Sequence, residues 1–248
     1  MMPRLLLAIF ALCAVIALPF NTARAQALSA DLSDHLIAIN TAFTGTGLTL
    51  FGSTDGDGDV AVVVEGPRAD LMLRKKENIA GIWTNGESAR FVDAPTFYYA
   101  AATREPSQFL REAPRSLYRI GVNNLPLDIQ DVDNENIAEF RTAFIADRAN
   151  AGLYNRQVGN VTFIGSRLFR SDIYFPANVP TGTYAVKVML IRGGEVIAQT
   201  DTPLTIRKVG TSARIFNFAH DYSAVFGLMA VVCAAAIGWF AAFVFRKN

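Results

Sequence analysis

Cysteine and histidine are nearly absent from this sequence. Two of each occur in 248 residues, and both cysteines, Cys13 and Cys233, sit in long apolar runs near the two ends. The stretch between them therefore has no disulfide to hold it and no thiol nucleophile, so its stability rests on a packed core. Two histidines, His35 and His220, exclude a histidine-rich metal site. His35 follows Asp34, but neighbours on a strand face opposite ways, which argues against a base and its orienting carboxylate. Motifs that assemble other sites are missing too: there is no Gly-x-Ser-x-Gly elbow, no glycine-rich loop ending in Lys-Ser/Thr, and no His-Glu-x-x-His. Gly45-Thr46-Gly47 lacks the third glycine of a dinucleotide fingerprint and leads into a strand pattern. The sequence thus reads as non-enzymatic and implies no cofactor.

The apolar runs at the ends are informative. Residues 1–25 read as a signal peptide: Arg4 gives the positive start, Leu5–Leu18 the apolar segment, and Ala23-Arg24-Ala25 the small-x-small cleavage pattern. Residues 221–245 are expected to form a transmembrane helix, since Tyr222–Phe245 carries no charge and is long enough to cross a hydrocarbon layer of about 30 Å. Arg246 and Lys247 in the 246–248 tail favour the cytoplasmic side, in agreement with an exported N-terminus. Within the span, Gly227, Ala230, Ala234, Gly238 and Ala242 recur at helical spacing and make one smooth face for another helix. An alanine-rich anchor with chance spacing explains the same residues equally well. His220 and Tyr222 suit an interfacial position. Taking Arg4, Arg24, Arg246 and Lys247 from the 23 basic residues leaves 19 against 22 acidic ones, a balance that gives nucleic acid no support as a partner.

Between the ends, residues 26–220 read as mainly β. His35–Asn40, Thr46–Phe51 and Asp70–Lys76 alternate, and Val60–Val64 is a β-branched run suited to a strand covered on both faces. Asn85-Gly86 suits a type I′ hairpin turn after Gly81–Thr84, with Arg90–Val92 and Pro95–Thr103 following. Asn134–Asn150 has helical periodicity, a capping-box pattern in Asn136 and Glu139, and a glycine stop at Gly152. Strands resume at Val158–Ile164, Ser171–Phe175, Ala185–Ile191, Glu195–Thr200 and Leu204–Lys208. Pro180–Tyr184 (PTGTY) resembles the tyrosine corner of immunoglobulin-like sandwiches. The favoured architecture is one immunoglobulin-like β-sandwich with a partly helical insertion at 104–157; two small β domains joined by the helix is the alternative.

Several runs together resemble a known family. They are FTGTGLTLFG (Phe43–Gly52), EGPR (Glu65–Arg68), AGIWTN (Ala80–Asn85), APTFYYAA (Ala94–Ala101), AGLY (Ala151–Tyr154) and LFRSDIYFPANVPTGTYAVKV (Leu168–Val188). With the two apolar ends, they are similar to an alphaproteobacterial transmembrane protein family of unknown function. The resemblance implies a bacterial inner-membrane setting with the β domain in the periplasm. It carries over no catalytic residue. It also suggests a transport partner, a permease of the sulfite-exporter type, so that the expected role is an accessory or interaction subunit. The span would contact a membrane-protein partner or its own copy.

Two clusters invite chemistry. In STDGDGD (Ser53–Asp59), Asp55, Asp57 and Asp59 match the first three ligand positions of a calcium loop, which makes a small-ligand or calcium-binding module the alternative function. Val60 and Gly66 stand where that loop needs Gly and Glu, so a hairpin tip between paired strands is the favoured reading. Asp128, Asp131, Asp133 and Glu135 precede the expected helix and suit its positive end. Arg74-Lys75-Lys76, with Arg68 nearby, fits a protected edge strand or an anionic contact. Phe97-Tyr98-Tyr99 and Tyr174-Phe175 fit a core face better than a groove.

Overall fold

A computed structural model describes residues 27–79, 81–210, 219–220 and 222–245. The expected signal segment and the 246–248 tail lie outside the described residues. The chain is mainly β, as its patterning indicates.

Strict alternation builds the first sheet. In β1 (Leu28–Leu32), β3 (Gly45–Thr54) and β11 (Leu168–Pro176), buried residues such as Leu48, Leu50, Phe169, Ile173 and Phe175 recur on one face. With β10 (Thr162–Ile164) they form an antiparallel sheet in the order β1-β3-β11-β10. The second sheet has β4 (Asp59–Glu65) inside it, between β12 (Gly182–Arg192) and β7 (Tyr98–Ala102). Outside these lie β13 (Glu195–Lys208), then β2 (Leu36–Ile39) parallel to it, and β9 (Gly159–Asn160) parallel to β7. Val60–Val64 are all at 0 % exposure. Buried residues of both sheets belong to one continuous apolar core.

Strands β3 and β4 are therefore not the paired strands expected around STDGDGD. The half-polar β3 needs a sheet with one wet face, whereas a run that is apolar on both faces fits an interior strand. The four residues Asp55–Gly58 carry the chain from one sheet to the other. A second correction concerns Asn85-Gly86. The chain reverses between β5 (Arg68–Ile79) and β6 (Ile82–Pro95), where Gly81 has φ +87. Asn85 instead pairs with Lys76 inside this long hairpin. The register shift that follows leaves Gly86 and Glu87 opposite Lys75 alone, a bulge. A third strand, β8 (Asp128–Gln130), completes a separate sheet in the order β5-β6-β8. The edge position of β5 agrees with the edge-strand reading of Arg74-Lys75-Lys76.

The departure from the two large sheets thus comes in two pieces, this hairpin and residues 104–157. The latter hold α1 (Glu112–Leu117), β8 and α2 (Ile137–Asn150). On α2, Phe140 and Phe144 are buried, and Phe144 stacks on Phe91 of β6 with ring centroids 3.9 Å apart. The capping box is not formed. The Asn136 amide donates to Glu87 at 2.9 Å and Glu139 receives Lys75 at 2.7 Å, so both side chains serve tertiary contacts with the hairpin. Gly152 ends the helix as expected, with φ +74. Val158–Ile164 divides into β9 and β10 because the chain changes sheets at Val161, and the last two expected strands are the single β13, continuous through Pro203.

Register fixes two ends of the large sheets. Glu65 pairs with Ala185, Gly182 with Ile206, and Lys208 with Ile39, so β4 ends and β13 leaves at one end, here called the exit end. Asp59, Arg192 and Glu195 lie at the other, the far end. The hairpin is rooted at the exit end, where Arg68 pairs with Pro95. Beyond β13 the chain enters α3 (Ser223–Phe245), 23 residues. Among the described residues it is the one helix long and apolar enough to cross a membrane, and none of that stretch is buried.

Tyr184 secures the exit end of the core. Its hydroxyl donates to the Pro180 carbonyl at 2.6 Å, as a tyrosine corner does, while its ring, at 0 % exposure, meets Phe97 and Phe175 edge-on. Tyr184→Phe keeps the ring contacts and leaves that carbonyl without its donor. A loss of about 1 kcal/mol is expected in denaturant titration of the detergent-solubilised chain; unchanged stability would show the hydroxyl to be dispensable.

Candidate functional site

Glu65 ends the most buried strand of the protein and is itself only 6 % exposed. A carboxylate there must be compensated or neutralised. Compensation comes from both sides: Arg119 Nη1 donates to its two oxygens at 3.0 and 2.8 Å, and Arg68 Nη2 donates at 3.0 Å. The other side of the Arg68 fork reaches Asp93, at 2.9 Å to its carbonyl and 3.0 Å to its carboxylate. Burial works against the Arg68 charge, but the hydrogen bond and charge of Glu65, then those of Asp93, more than offset it and hold its pKa above the ordinary arginine value.

Local backbone geometry aims Arg119. Helix α1 ends in a Schellman arrangement, with the Ile120 amide donating to the Arg115 carbonyl at 2.9 Å and the Arg119 amide to that of Ser116 at 3.2 Å. Arg119 occupies the left-handed position, φ +57, where glycine is usual. Tyr98 holds it from below, its hydroxyl donating to the Arg119 carbonyl at 2.7 Å. Burial pushes that phenol far above its usual range, so it stays a donor. At the root of the hairpin, Gly66 has no room for a side chain: a Cβ would lie 2.9 Å from that of Phe97 and 3.0 Å from the Tyr184 ring. EGPR is thus a junction. Its carboxylate receives three guanidinium hydrogen bonds, an arrangement that ties three segments together.

Sequence reading missed this cluster. EGPR stood out only as a motif of resemblance, and Arg119 lies 54 residues from Glu65 with no local signal.

At the far end, Asp55, Asp57 and Asp59 are not gathered on one point. Asp55 pairs with Arg192, which also donates to the Asp57 carbonyl. Asp59 receives Arg104 through Nε at 2.8 Å and Nη2 at 2.7 Å, and the Thr103 hydroxyl at 2.9 Å. Among the described residues no group of three His, Cys, Asp or Glu side chains is placed to hold a metal ion. His35 turns to Asp31, at 2.8 Å, and not to Asp34. Phe97, Tyr98 and Phe175 are core, while Tyr174 is 60 % exposed.

On α3, Gly227, Ala230, Ala234 and Gly238 lie on the exposed helix, and Ala242 falls within it, its side chain outside the described residues. A Cβ at Gly227 or Gly238 would meet nothing within 4 Å, so nothing in the described chain requires either to be glycine.

A β-rich body joined to one apolar helix defines a single-pass membrane protein. The chain belongs to the family described as Putative transmembrane protein (Alph_Pro_TM), whose model matches residues 27–247. No curated protein matches it.

Two outcomes test the ion pairs. Arg119→Gly relieves the left-handed backbone yet leaves Glu65 with one partner; because Arg119 is partly exposed, a net loss of about 2 kcal/mol is expected. A gain in stability would show that backbone strain outweighs the pair. At Asp59, burial alone would raise the pKa, but the hydrogen bonds of Arg104 and Thr103 and the Arg104 charge outweigh it and hold the carboxyl below 3.8. Its folded value being depressed, the stabilisation is present above the unfolded pKa and is lost as pH falls through the folded one. Asp59→Asn should therefore cost about 1 kcal/mol at neutral pH, with the difference from the parent vanishing in strong acid. A difference independent of pH would remove the carboxylate from the account.

Proposed function

We propose that this protein is a non-enzymatic, membrane-tethered interaction module, its β domain in the periplasm and the tail after α3 in the cytoplasm of a bacterium. The β domain is an immunoglobulin-like sandwich in this reading. The order β1-β3-β11-β10 takes the place of strands A-B-E-D, and β13-β12-β4-β7 that of G-F-C-C′. Orientation follows from Arg246 and Lys247 after the span.

The observation that carries the interaction role is α3. Its small-residue face, with open space at Gly227 and Gly238, lets a second helix approach closely in a bilayer, where lipid supplies no hydrophobic drive for association. The occupant is a span of an envelope complex or transporter, such as a permease of the sulfite-exporter type, or a second copy of α3. The pairing of Glu65, Asp55 and Asp59 with arginines supports a structural use of the buried and loop carboxylates over catalysis.

Affinity purification from native membranes tests this reading. A stoichiometric membrane partner or a homo-oligomer is expected, and Gly238→Leu should abolish it while expression persists. Recovery of a lone monomer, or a partner indifferent to Gly238→Leu, would count against contact through the span.

A further inference from the structure

We infer that the β5–β6 hairpin is a second membrane contact, its Ile82–Trp83 tip seated in the interface of the same bilayer that α3 crosses. The inference rests on α3 being a span and goes beyond it by giving the β domain a lipid-binding element of its own.

The tip is apolar where water would favour polar residues. Ile82 is 68 % and Trp83 67 % exposed. As adjacent strand residues they point to opposite faces. A protein groove would cover one face of a hairpin, whereas a lipid interface receives both, and this decides for lipid over a protein partner. Between Glu77 and Glu87 the sequence carries no charge. Glu77 and Glu87 bound this stretch, and behind Glu77 stand Lys76 and Arg74, both exposed, at the height where lipid phosphates would meet them, while Lys75 is engaged by Glu139. Tryptophan with flanking cations is the composition that partitions to the headgroup level.

Placement agrees. The hairpin is rooted at the exit end, beside the point where β13 leaves for α3. From Val209 to Tyr222 is 14 residues, so the exit end stands no more than about 50 Å from the start of α3. The β5 arm has 12 residues, a reach of about 40 Å. The far end, with its Asp55–Arg192 and Asp59–Arg104 pairs, is the end of the two large sheets away from the root of the hairpin.

The protein contains two tryptophans, Trp83 and Trp239, one for each contact. The full chain is reconstituted in nanodiscs of phosphatidylethanolamine and phosphatidylglycerol, with or without lipids brominated near the headgroup end of the acyl chains. In a Trp239→Phe chain, Trp83 emission should be blue-shifted and fall roughly twofold with brominated lipid, as for an interfacial indole. Adding Ile82→Asp should restore it. In a Trp83→Phe chain, Trp239 reports the span independently. Quenching of Trp239 but not of Trp83, with Trp83 open to aqueous iodide, would overturn the hairpin contact and leave the span intact. Trp83 shielded from iodide yet untouched by lipid bromine would also overturn it, by assigning the tip to a second copy. Quenching of neither would overturn both.

Discussion

A buried carboxylate at the end of the central strand is the constraint on which the rest of the structure depends. Strand β4 is closed to water on both faces, so Glu65 can remain charged only if donors are brought to it. Both come from later in the sequence, but from separate segments. Arg68, three residues on, belongs to the hairpin that leaves the exit end, and Arg119 to the turn after α1. Satisfying one carboxylate thus joins the two-sheet body, the hairpin and the helical segment. Such a pair adds little net stability over apolar packing, but removing one partner strands a charge. The cluster is the place where the three segments meet through charge.

Two Schellman ends in the same excursion show how differently such a constraint is written. After α2 the left-handed residue is Gly152, and the helix stop is visible in the sequence. After α1 it is Arg119, which no local rule places there. The cost of a left-handed arginine, of the order of 1 kcal/mol, is accepted because the side chain then reaches Glu65. Local chemistry explains the first end, and only a tertiary partner explains the second.

The same division separates what sequence reading could reach from what it could not. Alternation or a short apolar run located most strands, though not β1 or β8, and Pro180–Tyr184 announced the corner, because each depends on a few adjacent residues. Pairing was less accessible. STDGDGD has hairpin chemistry, yet the strands it joins differ in kind, one wet on a face and one dry on both, and this difference sends them to separate sheets. Asn85-Gly86 likewise has turn chemistry, but the strand pattern on both sides of it runs on to Gly81, so the dipeptide is absorbed as a bulge. Asn136 and Glu139 were available for capping, and the nearby Glu87 and Lys75 took them instead. In each case a local preference worth a fraction of a kcal/mol to about 1 kcal/mol gave way to burial or charge pairing across the fold.

The aspartates of STDGDGD have acquired a different meaning from the one their spacing first suggests. A calcium loop turns its carboxylates inward on one ion, whereas Asp55 and Asp59 here face separate arginines. Each pair ties the crossing between the sheets to a neighbouring turn, Arg192 at the β12–β13 reversal and Arg104 after β7. The far end is thereby closed by charge. The exit end is closed by aromatic packing around Tyr184 and by the Glu65 cluster, and from it both apolar extensions emerge, the exposed hairpin and the helix that crosses the bilayer. A tether at one point holds a domain near the bilayer without setting which way it faces. A second apolar contact on the same end would convert that tether into an orientation, with the polar far end held outward.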